Sequence, residues 1–337
     1  MDRIIRERYH DDILHEVMRR YAIALGDIET LGGFESFIYR FTRDGAPFIL
    51  RVTHSHRRTP ELIHGEVDWI NYLAAGGATV ARAVESARGE LVEEVDDGAG
   101  GRFLATAFAN APGRPAWEMG WTPSLRQNYG RLIGRMHALT KRYTLRDPAW
   151  RRPAWPAESL PEVVRHLSGR DGAALDRYRA LAARVAALPR DRDGYGLIHF
   201  DAHESNFHVD GETITLFDFD DCGYNWLVND IAMVIFYQVT NRDDPEDYLA
   251  GFLPDFLRGY RAENRLDPAW LAAIPDFLTM REIELYAIIQ RSYDVTPDTI
   301  DQIPHAWPRR FMEGRAACIT AGTPYIAFDL STMADYL

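Results

Sequence analysis

Apolar residues recur at helical spacing over residues 9–25 (Ile13, Leu14, Val17, Met18, Tyr21, Leu25), which predicts an amphipathic helix. Beyond it the period shortens. Ile28–Leu31, Phe37–Thr42 and Pro47–Thr53 read as strands, and Asp44-Gly45 between the last two is a hairpin signal. Pro60, Leu62, Trp69, Ile70 and Leu73 return to helical spacing, with Pro60 at the start and Gly76-Gly77 at the end. Leu91–Val95 and Phe103–Phe108 predict two further strands. The first hundred residues therefore read as an antiparallel sheet with one inserted helix.

After Ala109-Asn110-Ala111-Pro112-Gly113 the pattern changes. Residues 125–143, 161–167 and 173–188 predict helices, residues 196–220 a compact strand–loop–strand unit, and the remainder more helices. This divides the chain at 109/110. Residues 1–109 form a sheet-rich lobe and residues 110–337 a larger, mainly helical one, an α+β arrangement. Glycines at 130 and 134 lie one turn apart and permit close helix packing.

Composition narrows the function classes. A chain of 337 residues with 46% hydrophobic content can bury a sizeable interior. No apolar run reaches the roughly 20 residues needed to cross a bilayer. The charged start lacks the apolar stretch of a secretory signal, and two cysteines make no disulfide framework, so a cytoplasmic protein is expected. A net charge of −12 argues against nucleic acid as a partner and favours neutral or cationic ligands. Lys141 is the single lysine, so any phosphate contact must come from arginine or backbone.

The densest chemical signal is His199-x-Asp201-x-x-x-x-Asn206, followed by a turn at Asp210-Gly211 and an apolar strand that ends at Asp218. Phosphoryl transfer needs a carboxylate to take the acceptor proton, and oxygen ligands to hold a divalent cation against the phosphates. Asp and Asn five residues apart, with a second Asp returned by a hairpin, can supply both. His199, Asp201 and His203, with His208 and Cys222 nearby, also allow a transition-metal reading, but that leaves Asn206 and Asp218 unexplained.

This segment resembles the aminoglycoside phosphotransferase and choline kinase group, which has the two-lobed protein-kinase-like fold. The resemblance covers nearly the whole chain in element order and residues 196–235 in detail. It implies a phosphotransferase that uses ATP (or GTP) and Mg2+ to modify a hydroxyl of a small molecule. Asp201 is then the catalytic base, Asn206 and Asp218 are magnesium ligands, and His199 and Asp230 support the catalytic loop. Phe200 stands where glycine is usual and Glu204-Ser205 where Pro-Gly is frequent.

On the nucleotide side the resemblance places Arg51 at the usual lysine position, with Glu66 as its partner and Glu61 as the fallback. Gly32, Gly33 and Ser36 form the candidate phosphate loop, although a lone Gly-Gly is more often an ordinary turn. Thr106 to Asn110, including Phe108, would lie along the adenine. Acceptor candidates in the helical lobe are Glu204, Asp220, Asp221, Trp226, Tyr237, Arg281, Glu282 and Tyr286. The carboxylates among them suggest an amine-bearing acceptor such as an aminoglycoside, an amino sugar, an amino alcohol or a hydroxy amino acid. His54, His56 and His64 read as surface residues and His137 as structural. A protein serine/threonine kinase and a nucleotide-binding pseudokinase are the alternative readings of the same fold.

Overall fold

The computed structural model describes residues 2–33, 35–157 and 159–337. Two short helices, α1 (Arg3–Arg8) and α2 (Asp11–Arg20), replace the single long helix expected over 9–25. They lead into β1 (Ile28–Gly32), β2 (Phe37–Arg43) and β3 (Ala46–His54). Helix α3 (Pro60–Ala75) follows, capped by Thr59 with Pro60 at its first position, and then β4 (Ala83–Val84), β5 (Glu93–Asp96) and β6 (Arg102–Ala109). The six strands are antiparallel in the order β1-β2-β3-β6-β4, with β5 also on β6. Val17 and Met18 of α2, with Tyr21 just after it, pack with Leu50, Val52 and Phe103 on one face of this sheet.

Strand β7 (Arg114–Pro115) carries the chain out of the sheet and pairs with β9 (Phe207–Asp210). At Gly113 a Cβ would sit 2.0 Å from the Val209 carbonyl oxygen, so only glycine permits this crossing. The rest comprises α4 (Pro123–Thr140), α5 (Ser159–Leu167), α6 (Gly172–Ala186), β8 (Tyr195–Ile198), β9, β10 (Thr213–Leu216), β11 (Gly223–Trp226), α7 (Leu227–Val239), α8 (Pro245–Glu263), α9 (Ile274–Tyr293) and α10 (Ala306–Ala321). The molecule is a two-lobed α+β structure.

Helices α4 and α8 approach closely. A Cβ on Gly130 would lie 1.8 Å from the Phe256 carbonyl oxygen, and one on Gly134 would lie 2.6 Å from that of Tyr260. The spacing of those two glycines therefore serves packing. Helix α7 is buried almost all round and carries Asp230 in its first turn. Among the described residues no helix is long and apolar enough to cross a membrane.

Candidate active site

The site is assembled where the strand–loop–strand unit meets the sheet lobe. Strand β8 ends at Ile198, and the next backbone N–H groups, of His199 and Phe200, both donate to the Asp230 carboxylate, at 3.2 and 2.8 Å. Asp230 is buried and also contacts His137 Nε2 at 3.1 Å, while His137 Nδ1 meets the Tyr260 hydroxyl at 2.8 Å. It thus ties the loop to α4, α7 and α8 at once. Its position inside α7, after Trp226 at the N-cap, sets it apart from an ordinary capping residue.

His199 completes the brace. Its Nε2 lies 3.1 Å from the Phe217 carbonyl, and its Nδ1 accepts the Asp201 N–H at 3.3 Å. That pairing fixes the tautomer, with the proton on Nε2. Burial pushes its pKa down, in keeping with a neutral ring. Phe200, at the position where glycine is usual, holds a φ of 74° that disfavours a side chain. The bond from its N–H to Asp230 helps hold that conformation.

Asp201 has both carboxylate oxygens engaged. Arg281 Nη2 donates to Oδ1 at 2.8 Å, and His203 Nε2 lies 3.2 Å from Oδ2. Burial alone would raise this carboxyl's pKa, but the His203 and Arg281 charges outweigh it and hold the group below the usual carboxylate range. Asn206 donates through Nδ2 to the Asp201 carbonyl at 2.9 Å, which leaves its Oδ1 without a partner among the described residues. The Asn206 carbonyl accepts from the Phe217 N–H at 2.8 Å. This bond extends the β9–β10 ladder by one step and delivers Asp218 beside the loop. The turn lies at Gly211-Glu212, one residue beyond the expected pair, with Gly211 at a φ of 60°.

The Asp218 carboxylate has no hydrogen-bond or ion-pair partner among the described residues. It opens to solvent, yet the protein atoms crowding it raise its pKa to about 7 against the opposing pull of Arg51. A carboxylate so placed, beside the free Asn206 oxygen, is an all-oxygen donor set suited to a hard divalent cation. The alternative transition-metal grouping is disfavoured by positive observations. His199 has both ring nitrogens engaged with backbone, His208 Nδ1 contacts the Ala111 carbonyl at 3.0 Å, and burial pushes the Cys222 thiol up to about 12.

On the sheet side, Arg51 and Glu66 form a buried two-pronged ion pair, at 2.8 and 2.7 Å. The Arg51 guanidinium sits 5.1 Å from the Phe108 ring centre and 3.8 Å from Asp220 Oδ1. Glu61, the fallback partner, is exposed at the start of α3. Thr106 lies opposite Arg51 in the β3–β6 pair, buried, its hydroxyl without a partner among the described residues. Gly32 ends β1, and a Cβ on Gly33 would fall 1.9 Å from the Ser36 carbonyl oxygen, so this turn requires glycine. Ser36 is buried just before β2.

Several acceptor candidates lie elsewhere than their sequence positions suggested. Trp226 is fully buried, and its indole N–H donates to the Pro189 carbonyl at 2.8 Å. Glu282 is buried and paired with Arg315 of α10, and Tyr286 is buried with its hydroxyl 3.2 Å from Asp171 Oδ2. These three belong to the packing of the helical lobe. Asp220 and Asp221 are not free acids awaiting an amine. Arg57 and Arg58, on the segment after β3, reach both, with Arg58 2.8 Å from Asp221 Oδ1. Glu204 alone among the acceptor-side carboxylates is half-buried in the loop with no partner among the described residues. His54, expected at the surface, is buried 3.0 Å from Asp97 Oδ2.

The sequence named His203 only in the transition-metal grouping, and gave no sign of Arg57 and Arg58. His203 contacts Asp201 and lies 3.4 Å from Asn206 Nδ2, and its ring packs 4.2 Å from that of Tyr237. Its signal was its place two residues after Asp201, inside the motif. Tyr237, named as an acceptor candidate, bonds through its hydroxyl to Arg281.

With this geometry in hand, comparisons with known proteins agree on the family. The phosphotransferase enzyme family model matches residues 27–274. An amicoumacin kinase of Bacillus subtilis (strain 168) is 36% identical over 334 residues, covering 98% of each chain. A solved amicoumacin kinase, in complex with AMP-PNP, Ca2+ and Ami, superposes with a TM-score of 0.92 at 34% identity, over 99% of this chain and 100% of that one. A microcompartment-associated aminopropanol kinase superposes with a TM-score of 0.71 at 25% identity, over 93% and 95% of the two chains. The chain belongs to the phosphotransferase enzyme family and is a small-molecule kinase.

Proposed function

We propose that the protein transfers the γ-phosphoryl group of ATP to a hydroxyl of a small, amine-bearing molecule, with Asp201 as the catalytic base. The observation that carries this reading is the convergence of the Asp201 carboxylate, the free Asn206 Oδ1 and the unpartnered Asp218 carboxylate on one loop and its hairpin return. The acceptor oxygen attacks the γ-phosphorus, the bond from that phosphorus to the β-bridging oxygen breaks, and ADP leaves. The acceptor's proton passes to Asp201, whose depressed pKa keeps it ionised and ready to orient the hydroxyl.

Asn206 and Asp218 would hold Mg2+, which supplies charge neutralisation on the phosphates. Arg51, fixed by Glu66, would contact phosphate oxygens together with the turn made by Gly32, Gly33 and Ser36. Phe108 and the neighbouring strand would border the base, whether adenine or guanine. We accordingly assign residues 1–109 to nucleotide binding and residues 110–337 to catalysis and the acceptor.

The amine assignment rests on Glu204, and on relatives and structural neighbours named for amicoumacin and aminopropanol. The carboxylates of Asp220 and Asp221 do not contribute, because Arg57 and Arg58 neutralise them. The test is ADP release with Mg–ATP over amicoumacin, 1-amino-2-propanol, aminoglycosides and hydroxy amino acids, each beside a neutral-hydroxyl analogue. Turnover confined to amine-bearing compounds and abolished in Asp201→Asn is expected. Equal turnover in Asp201→Asn would overturn the assignment of the base.

A further inference from the structure

The first turn of helix α10 carries a tryptophan whose exposure packing does not explain. Trp307 is 42% exposed, one of five large hydrophobic side chains so open among the described residues. One side of its indole is supported, since the Phe311 ring lies parallel to it at 6.2 Å and 5°. Its carbonyl accepts from Asn241 Nδ2 at 3.1 Å, which anchors the start of the helix. Toward the active site, the Tyr237 ring lies 6.5 Å away at 23°, and the His203 ring lies 4.2 Å beyond that at 35°. His203 in turn touches Asp201 at 3.2 Å. A continuous run of rings therefore leads from the proposed catalytic base to an open indole.

We infer that His203, Tyr237 and Trp307 form an aromatic shelf that binds a planar, unsaturated part of the acceptor while its hydroxyl reaches Asp201. The inference rests on Asp201 being the centre of phosphoryl transfer, and adds the chemical character of the acceptor's distal end. An exposed indole leaves apolar area in water, and covering it with a flat ring removes that area and adds a stacking preference. Tyr237 is held as part of the shelf by its hydroxyl bond to Arg281, whose guanidinium lies 5.5 Å from the Tyr237 ring centre. The shelf is thus fixed to the same arginine that engages Asp201, so a ring bound along it would be in register with the reacting hydroxyl.

The shelf makes a specific demand on two ligands that share an amine and a secondary hydroxyl and differ only in a phenyl group. These are 1-amino-2-propanol and 1-amino-3-phenyl-2-propanol, titrated calorimetrically into the full chain with Mg–AMP-PNP present. The phenyl compound is expected to bind about tenfold tighter, the range of one good aromatic contact with its buried area. Trp307→Ala should reduce that preference to within about twofold and leave the affinity for 1-amino-2-propanol unchanged. Trp307→Phe should keep most of it. Trp307 is on the surface, and thermal unfolding of each variant checks that the fold is retained. No preference in the wild-type chain, or the same preference in Trp307→Ala, overturns the shelf. Turnover with Mg–ATP is scored separately. Failure of both compounds and of the wider acceptor panel to be phosphorylated would count against the transfer reading, while the calorimetric comparison still decides the shelf.

Discussion

At the scale of single residues, the two acidic groups of the motif sit in opposite environments and should respond differently to the same substitution. Asp201 has both oxygens engaged, by Arg281 and His203, whereas Asp218 has no partner among the described residues and is crowded enough to raise its pKa. Asp201→Asn is expected to lower kcat by about 10²–10⁴-fold, the usual range for a lost general base, with Mg–nucleotide affinity nearly unchanged. Asp218→Asn should weaken Mg–nucleotide binding as well, because it removes a charged oxygen ligand. Calorimetric titration of AMP-PNP with Mg2+ separates them, and equal losses would mean the roles are misassigned. Arg281 is the positioning residue for Asp201. A base must be ionised, so activity falls as pH drops through its pKa, and the wild-type value lies below the usual carboxylate range. Removing Arg281 deletes one of the two opposing charges and lets burial raise that pKa. The acid limb of kcat at saturating Mg–ATP, where the bound cation keeps Asp218 ionised, should therefore move to higher pH in Arg281→Ala, while Arg281→Lys should partly restore it. A limb that stays in place would show that His203 alone sets the base.

At the scale of elements, the motif segment was legible because its chemistry is local. Residues 199 to 218 lie on one loop and one hairpin, so spacing alone brings them together. The acceptor side was not legible for the converse reason. Helix α9 is buried around most of its circumference, so the four-residue spacing of Glu282 and Tyr286 could not say which neighbour they face. The ion pairs of Arg57 and Arg58 join residues 163 positions apart, and a charge run in sequence carries no sign of such partners. The glycines of α4 were legible, because small residues one turn apart have a steric meaning of their own. Their energetics can be tested against a control in the same fold. Alanine in a helix interior gains ~0.5–1 kcal/mol over glycine in intrinsic propensity, whereas overpacking typically costs about 1–3 kcal/mol. At Gly130 the obstructing atom is a backbone carbonyl that cannot rotate away, so the clash should win and Gly130→Ala should destabilise. At Gly314 of α10 nothing lies within 4 Å of the added carbon, so Gly314→Ala should stabilise by about 0.5–1 kcal/mol. Urea unfolding midpoints check both signs. Stabilisation by Gly130→Ala would show that α8 can yield.

At the scale of the whole molecule, the two lobes are tied across the site by charges rather than by apolar packing alone. Glu35, on the turn between β1 and β2, pairs with Arg291 of α9 at 3.3 Å, and Arg291 also pairs with Glu162 of α5. Arg57, after β3, lies 3.7 Å from the same Glu35 and bonds to Asp220, two residues after the proposed metal ligand. Opening the cleft would break or stretch these links together, and Glu35 sits in the turn proposed to cover the phosphates. Their contribution to global stability should be small. Arg291 and Glu35 are about a third and a quarter exposed, and pairs of that kind contribute ~0–1 kcal/mol. Their effect belongs instead to the lifetime of the closed state, because dissociation requires the cleft to part while unfolding does not depend on it. Arg291→Ala is therefore expected to release a fluorescent ADP analogue severalfold faster in stopped-flow measurements, with the thermal midpoint nearly unchanged. Salt supplies the internal control. Raising ionic strength shortens the Debye length from about 10 Å at 0.1 M to about 3 Å at 1 M, which should speed release from the wild-type chain. The same change should have much less effect on Arg291→Ala, where the link is already cut, and Glu35→Gln should behave like Arg291→Ala rather than add to it. Release that is unchanged in Arg291→Ala, or additive in the double variant, would mean that the lobes are held together by other contacts and that this pair is incidental.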